Sequence, residues 1–303
     1  MFGRTQRSGS VALVVNPAKA KDVDALTAAL TRRCGELGFS APVVLPTSPD
    51  DPGQGQARQA LRGGAGLVLA AGGDGTVRAV AEALAGTGAA LGILPFGTGN
   101  LLARNLGLPF GCREAIDTAL AGDDRVLDVG RLDDGHLFLI MAGAGWDAAM
   151  LQGTPEALKS AIGWPAYLVG GLRSARSSLV EAELQLDDQP PLRLPARMVL
   201  VGNVGRLQGG LDLLPDAEPD DGMLDVVVIQ PRKTAQWMAL GGQVLAGQAM
   251  AEHRRRTFRA RRVAIRLDRP QPRQVDGDLI APAERLVATV DAQALVVRVK
   301  RRA

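Results

Sequence analysis

The sequence has few cysteines, histidines and aromatic residues, and each shortage excludes a class of function. Two cysteines in 303 residues, Cys34 and Cys112, argue against a disulfide framework and favour a reducing, cytoplasmic setting; both are expected to be small core hydrophobes. One Tyr, three Trp and six Phe leave little for base stacking, so nucleic acid is not an expected partner. The two histidines, His136 and His253, lie outside every motif described below, which leaves acidic residues to accept protons.

Long apolar runs are also missing, because glycine or charge interrupts each run well short of a membrane span. The first residues, MFGRTQRSGS, lack the apolar core of a signal peptide, so we expect only peripheral contact with a membrane. The formal charge is only +3, yet arginine is concentrated between His253 and Arg266, a segment called the arginine tract below. It is compatible with an anionic partner surface and equally with an ordinary solvated strand.

Residues 10 to 125 alternate short apolar runs with amphipathic stretches. The runs SVALVVN, APVVLPT, GLVLAAGG and ALGILPFG are closed by Asn, Pro or Gly, as is typical of strands buried on both faces. Asp22 to Leu37 and Val77 to Leu84 place apolar residues at helical spacing. This pattern predicts an α/β domain with a mostly parallel sheet and with ligands at the carboxyl ends of its strands.

Beyond about Asp128, apolar and polar residues alternate, as in Ala182, Leu184 and Leu186, which predicts an antiparallel sheet. Two helical stretches, residues 155–174 and 233–253, interrupt it. We therefore predict a first domain over residues 1–125 and a second over 126–292, with residues 293–303 returning to the first. No flexible linker separates the domains, so the cleft between them is the expected active site.

The clearest local signal is a glycine-rich turn between an apolar strand and a helix, formed by Gly72, Gly73, Asp74, Gly75 and Thr76. Glycines let the backbone approach a ligand, and the free N–H groups at a helix start favour phosphate. Asp74 adds a carboxylate for Mg²⁺ or for orienting water. A tight turn alone would need only one or two glycines, so three glycines around an Asp and a Thr favour a functional role.

A second loop of this kind follows one strand later, where Gly97, Thr98, Gly99 and Asn100 come after Pro95 and Phe96. Its glycines, hydroxyl and amide suit a site that wraps nucleotide phosphates and sugar. Consecutive strand ends of a parallel sheet would bring the two loops together. Neither loop matches the Walker A pattern or the dinucleotide-binding spacing of glycines.

Together these loops resemble the catalytic domain shared by diacylglycerol kinases, sphingosine kinases and the soluble bacterial lipid kinases. The resemblance covers nearly the whole chain, in family order, through Asn16-Pro17, LDVGRL around Asp128, LFLIMAGAGWDA, VGN at 201–203, LLPDAEPDDGMLDVVVI, and VDGD at 275–278. It implies a first domain similar to the ATP domain of phosphofructokinases and NAD kinases. It also implies a second domain that is a lipid-holding β-sandwich, and phosphorylation of a lipid hydroxyl by ATP with Mg²⁺.

The same resemblance implies residue roles. Asp276 would be the general base on the lipid hydroxyl, and Asp74 and Asp128 would complete an acidic network with water and Mg²⁺. Asp221, with the carbonyls of Glu218 and Met223, would bind a structural Mg²⁺. The expected ATP contacts are Asn16, Pro17, Thr47, Gly72, Gly73, Asp74, Gly75, Thr76, Gly97, Thr98, Gly99 and Asn100.

The chemistry of these residues is consistent with such roles, because an alcohol needs a placed carboxylate to accept its proton while cations and N–H groups offset charge on the γ-phosphate. On a strand, Asp276 and Asp278 would share a face, so that one acts as base and the other orients it or binds metal. The alternative for Asp276-Gly277-Asp278 is a β-turn, which Asp and Gly favour by themselves.

Several positions depart from the family pattern. Asn16-Pro17 is followed by Ala18, Lys19, Ala20 and Lys21, where family members often read Asn-Pro-x-Ser-Gly. Ala79 and Leu101 replace a Glu and an Asp, and Asp278 replaces a Glu. Two rival functions therefore stay open: an NAD kinase, which shares the first glycine-rich turn, and a catalytically degenerate lipid-binding or regulatory module. The identity of the lipid and the oligomeric state, a homodimer included, are also open.

Overall fold

The computed structural model of the chain describes residues 10–145, 180–206, 213–229 and 255–301. The chain divides into two compact units, Met1–Leu127 with Gln293–Ala303, and Asp128–Ala292. The two helical stretches predicted at residues 155–174 and 233–253 lie outside the described residues. No helix among the described segments is long and apolar enough to cross a membrane.

The first unit is built on a parallel sheet. Its strands are β1 (Ser10–Val15), β2 (Val43–Pro46), β3 (Ala65–Gly72) and β4 (Ala90–Pro95), in the order β2–β1–β3–β4. The end of β14 (Asp278–Val299) pairs in parallel with β4 through Val296 and Val297. Strands β1, β3 and β4 consist almost entirely of buried residues, as their continuous apolar runs predict for strands covered on both faces.

The described residues of this unit form five helices: α1 (Val23–Leu37), α2 (Gln54–Arg62), α3 (Asp74–Leu84), α4 (Leu101–Asn105) and α5 (Cys112–Ala121). Helix α1 begins where the Asp22 side chain accepts a hydrogen bond from Ala25 N at 2.8 Å, and it ends at Gly38 in the left-handed conformation. Buried side chains of α1 and α5 pack together with those of β1 and β3.

The two cysteines have different environments. Cys34 is a buried residue of α1 and lies in the core, as predicted. Cys112 is exposed, so the expectation of a core position is wrong for this residue. The physical reason is its place in α5: Cys112 is the first helical residue, and the buried residues of the helix begin at Ala115. Burial raises the pKa of the Cys34 thiol, which keeps it protonated and inert.

The second unit is antiparallel. Its strands are the second part of β5 (Asp123–Leu132), then β6 (Leu137–Phe138), β7 (Met141–Ala144), β8 (Val180–Leu186), β9 (Leu192–Ala196), β10 (Met198–Gly202), β11 (Leu224–Ile229), β12 (Arg255–Ala260), β13 (Arg262–Val275) and the first part of β14. The main order is β12–β11–β10–β7–β13–β14, and β8 and β9 continue from β13.

Strand β13 takes part in two layers of this unit. Its first half, up to Leu267, pairs with β8, whereas Arg273–Val275 pair with β7, and the register shifts between the two halves. Inward-facing residues of both layers, among them Leu184, Val226 and Ile265, form one core cluster. The predicted fold class, a mostly parallel α/β domain followed by an antiparallel β-sandwich, is confirmed.

The described residues of the arginine tract, from Arg255 on, form β12 and the start of β13, so successive side chains point to opposite faces. Phe258 packs against the core and Ala260 is buried in it, while the guanidinium of Arg256 lies 5.5 Å from the centroid of the Phe258 ring. Arg259 points the other way and forms ion pairs with two aspartates. The tract is therefore not a single-faced basic patch.

Candidate active site

The first glycine-rich turn joins β3 directly to α3. Gly73 is the N-cap of α3 and has no side chain with which to cap the first N–H groups of this 11-residue helix. A Cβ atom added at Gly75, in the first turn of the helix, would meet no protein atom within 4 Å. The start of α3 therefore has open space above uncapped N–H groups, an arrangement that suits a phosphate.

The two glycine-rich loops contact each other through their backbones. The carbonyl oxygen of Gly72 accepts hydrogen bonds from Phe96 N at 2.9 Å and Gly97 N at 3.1 Å. A Cβ atom at Gly97 would lie 2.5 Å from the Cα of Gly73, so only glycine allows this approach. The predicted convergence of the loops at neighbouring strand ends is thus confirmed.

Asp74 links the two loops through its side chain. Its Oδ1 accepts a hydrogen bond from Leu101 N at 2.6 Å, at the start of α4, which follows the second loop. Burial raises the pKa of the Asp74 carboxyl, and backbone N–H donors at Leu101, Asn100 and Leu102 act against that rise. In this structure the carboxylate holds the second loop, and a role for it beside Mg²⁺ stays a prediction.

Asn100 stabilises the second loop from within. Its backbone has φ of 47°, its Oδ1 accepts from Gly97 N at 2.9 Å, and its Nδ2 donates to Gly97 O at 2.6 Å. The amide that was predicted to contact ATP is thus used inside the loop. Thr98, between these residues, is exposed at the tip.

The remaining residues predicted to contact ATP lie at the ends of β1 and β2. Asn16 N donates to Ala71 O at 2.9 Å, and Asn16 Nδ2 lies 3.5 Å from the buried Thr76 Oγ1. Thr47 N donates to Val15 O at 2.8 Å, and Pro17 is exposed. Asn16, Thr47 and both glycine-rich loops therefore share one edge of the parallel sheet, formed by the carboxyl ends of its strands.

In the second unit, Asp276 and Gly277 form the turn of a β-hairpin. Strand β13 ends at Val275, β14 begins at Asp278, and these two residues are paired. Asp276 and Gly277 have φ of 49° and 91°, as two-residue hairpin turns require. The prediction that Asp276 and Asp278 share one face of a strand is wrong, because the left-handed conformation that Asp and Gly both tolerate reverses the chain between them.

The carboxylate of Asp276 is anchored by the backbone. It accepts hydrogen bonds from the N–H groups of Leu139, Ile140 and Met141, each at 2.9 Å, and Asp276 N donates to Met141 O at 2.8 Å. Asp278, by contrast, is exposed. The residue predicted to be the base is thus held as a fixed acceptor, while its neighbour faces solvent.

Asp128 is buried, with 1% of its surface exposed, and it contacts the loop that precedes β11. Its Oδ2 accepts from Gly222 N at 2.6 Å, and its backbone N donates to Pro219 O at 2.7 Å. Asp128 therefore fixes the 219–222 loop. The acidic network with water and Mg²⁺ that the family resemblance implies for this residue stays a prediction.

Asn203 contacts both Asp128 and the segment 139–141, whose N–H groups bind Asp276. Its Nδ2 donates to Asp128 O at 2.9 Å and lies 3.4 Å from Leu139 O, and its backbone N donates to Ile140 O at 2.8 Å. The segment 139–141 is thus held on one side by Asn203 and on the other by Asp276. The VGN motif pointed to this residue, but nothing in the sequence showed which distant carbonyls its amide would contact.

The loop that was expected to bind a structural Mg²⁺ contacts an arginine instead. Asp221 Oδ1 accepts from Met223 N at 3.0 Å, and its Oδ2 accepts from the Arg259 guanidinium, which also lies 3.5 Å from Asp225 Oδ1. Glu218, whose carbonyl was a predicted ligand, is exposed. Among the described residues, no group of three acidic, His or Cys side chains could hold a metal ion. The predicted Mg²⁺ ligands include only one carboxylate, that of Asp221, and it already pairs with Arg259. This set of ligands therefore does not fit Mg²⁺.

Comparison with known proteins gives two family matches. The model of the diacylglycerol kinase catalytic domain matches residues 10–132, and the model of the YegS C-terminal NAD kinase beta sandwich-like domain matches residues 140–299. A diacylglycerol kinase of Bacillus subtilis is 27% identical over 274 residues, 88% of each chain. A probable lipid kinase YegS-like protein of Chromohalobacter salexigens is 36% identical over 179 residues, and the match spans only 57% of that relative's length.

Solved structures show the same fold. A diacylglycerol kinase structure from Bacillus anthracis superposes with a TM-score of 0.73 at 21% identity, covering 98% of this chain and 99% of that one. An NAD kinase from Archaeoglobus fulgidus in complex with ATP has a TM-score of 0.54 at 11% identity, covering 95% and 93% of the two chains. At such identities the likeness concerns the fold alone.

Proposed function

Because the chain belongs to the diacylglycerol kinase catalytic-domain family, with a YegS-type C-terminal domain, we propose that it transfers the γ-phosphate of ATP to a hydroxyl of a membrane lipid. The observation that carries the nucleotide half of this proposal is the pair of interlocked glycine-rich loops at the carboxyl ends of β3 and β4. The lipid half rests on the family. Diacylglycerol, which would yield phosphatidic acid, is the first acceptor to test.

The first unit supplies the groups suited to the phosphates. The uncapped start of α3 and the space above Gly75 fit a phosphate group, and the exposed Thr98 offers a hydroxyl on the second loop. Asp74 links the two loops, and the Asn16 amide lies 3.5 Å from the hydroxyl of Thr76 in the first turn of α3. Mg²⁺ bound with ATP would offset negative charge on the phosphates during transfer.

The second unit supplies the carboxylate for the acceptor hydroxyl. We assign the base to Asp278, because it is exposed at the start of β14, and we assign Asp276 the task of holding the turn. This exchanges the roles predicted from the sequence. In the proposed step the lipid oxygen forms a bond to the γ-phosphorus, the bond from that phosphorus to the bridging oxygen of ADP breaks, and Asp278 accepts the hydroxyl proton.

The departures from the family pattern are compatible with activity. Ala79 and Leu101 are both buried in the first unit, so each position holds a core side chain in place of a carboxylate. Leu101 still contributes its backbone N–H to Asp74, so the link between the two loops does not depend on the side chain at this position. An aspartate at position 278 is one methylene shorter than a glutamate, which moves the carboxylate by about an ångström and is expected to lower the rate.

A substrate comparison tests the proposed function. The purified protein is incubated with Mg²⁺ and γ-labelled ATP, in parallel with a total lipid extract, with dispersed diacylglycerol and with NAD⁺. We expect label in the lipid fraction and none in NADP⁺. Label in NADP⁺ would establish the rival NAD kinase function, to which the fold likeness also extends. ATP binding with no labelled product would favour the degenerate lipid-binding module.

A further inference from the structure

Arg259 bridges two aspartates at the loop that precedes β11. In the antiparallel pairing of β11 with β12, Arg259 stands directly opposite Asp225. Its Nε lies 3.5 Å from Asp225 Oδ1, and its Nη2 donates to Asp221 Oδ2. One guanidinium thus joins the strand to the loop, which suits a planar cation with several donors.

The carboxylate of Asp221 is engaged on both oxygens. Met223 N donates to Oδ1 at 3.0 Å while Arg259 donates to Oδ2. A Mg²⁺ ion at this carboxylate would have to share an oxygen that already accepts one of these hydrogen bonds, and it needs oxygen ligands at a short, fixed distance. It would also place two positive charges beside a guanidinium, and like charges a few ångströms apart repel.

Asp225 explains why a cation is needed here at all. Only 6% of its surface is exposed, and a buried carboxylate is costly without a positive partner. Arg259 is the cation that pairs with this carboxylate and, at the same time, with that of Asp221. The sequence places this cation on the neighbouring strand, where the cross-strand register fixes it.

We propose that Arg259 is the built-in cation of the 219–223 loop, and that the loop takes no divalent metal at Asp221 while this guanidinium is present. The loop geometry is then set by protein groups alone: Arg259 holds Asp221, and Asp128 holds Gly222 and Pro219. The proposal concerns loop stability and stands whether or not the protein is a kinase.

Thermal unfolding of the nucleotide-free protein tests it directly. The wild-type melting temperature should change by less than about 1 °C between chelator and millimolar Mg²⁺ or Ca²⁺, because no site gains binding energy. A saturable rise in the wild-type melting temperature that disappears in Asp221→Asn would overturn the proposal. This measurement does not depend on any variant of Arg259 folding.

Variants of Arg259 provide a second test of the proposal. Arg259→Gln should lower the melting temperature by roughly 5 °C or more, since it leaves a buried carboxylate without its cation. Adding Asp225→Asn should recover much of that loss, and Arg259→Lys should fall between wild type and Gln. Equal losses for Arg259→Gln in the presence and absence of Asp225→Asn would show that the charges are not coupled and would contradict the proposal.

Discussion

The Asp74 carboxylate accepts a hydrogen bond from the backbone N–H of Leu101 at 2.6 Å, so the first glycine-rich turn holds the start of the helix that follows the second. Because this bond is partly buried, loss of the carboxylate would leave the Leu101 N–H at the start of α4 without its acceptor. Asp74 therefore connects two sequence motifs that lie 27 residues apart.

We expect Asp74→Ala to lower the free energy of unfolding by about 1–3 kcal/mol and to weaken ATP binding. Chemical denaturation and nucleotide titration measure the two effects. Asp24→Ala, at an exposed position in α1, is the matched control and should change stability by no more than about 0.5 kcal/mol. Full stability in Asp74→Ala would mean that the loops are held together by their backbones alone.

Substitutions at Gly75 distinguish an effect on protein stability from an effect on ATP binding. A Cβ at this position meets no protein atom, so Gly75→Ala should fold and should be as stable as wild type or more stable by about 0.5–1 kcal/mol. If phosphates occupy that space, ATP affinity should fall by at least about tenfold in Gly75→Ala and further in Gly75→Val.

Gly35→Ala is the control for Gly75, because Gly35 lies inside α1 and a Cβ there also meets nothing within 4 Å. It should match the stability gain with no change in ATP affinity. Unchanged ATP binding in Gly75→Val would remove the start of α3 from the nucleotide site.

Asp225 predicts a pH dependence of stability. Burial raises its pKa to about 6 in the folded protein, so between pH of about 4 and 6 the folded state retains a proton that the unfolded state releases. Stability therefore falls as pH rises through this window, by on the order of 2 kcal/mol from this residue.

Asp225→Asn should remove that part of the pH dependence, as measured by urea unfolding at several pH values within the window. Asp268→Asn, at an exposed aspartate of β13, should leave it in place. A pH profile that is the same in wild type and Asp225→Asn would show that the carboxyl titrates alike in the folded and unfolded states.

The sequence predicted those strands whose apolar pattern follows directly from how many of their faces are buried. Continuous apolar runs identified β1, β3 and β4 because both faces of those strands are covered, and alternation identified β8 because only one face is. The exposed Cys112 was missed because a residue at the edge of a helix cannot be told from a core residue by its type alone.

The site was only partly predictable. The glycine-rich loops could be recognised from local sequence, because their function depends on backbone shape. The three N–H donors to Asp276 come from residues more than 130 positions away, and the partner of Asp221 is fixed by the register of β11 and β12. Contacts of that kind follow from strand pairing, which no short motif encodes.

Only some arginines of the arginine tract are exposed and placed to contact a membrane. Arg259 is used in ion pairs, while Arg261, Arg262 and Arg266 are exposed. We propose that these three contact anionic lipid, so replacing all three with Gln should reduce binding to phosphatidylserine vesicles at low salt by roughly tenfold or more, at about 1 kcal/mol each.

Sedimentation with vesicles measures this binding, and high salt should abolish it in the wild type. Replacing three exposed arginines of the first unit, Arg32, Arg58 and Arg113, with Gln is the matched control for net charge. Equal losses in the two triple variants would show that net charge, and not this surface, sets the binding.

Transfer of label from ATP to lipid by wild type, Asp278→Asn and Asp276→Asn tests the central claim most directly. We predict labelled lipid with wild type, a loss of at least about a hundredfold in kcat with Asp278→Asn at unchanged ATP affinity, and a loss of both activity and stability with Asp276→Asn. Labelled lipid formed at the wild-type rate by Asp278→Asn, or no labelled lipid from any folded wild-type preparation, would contradict the account.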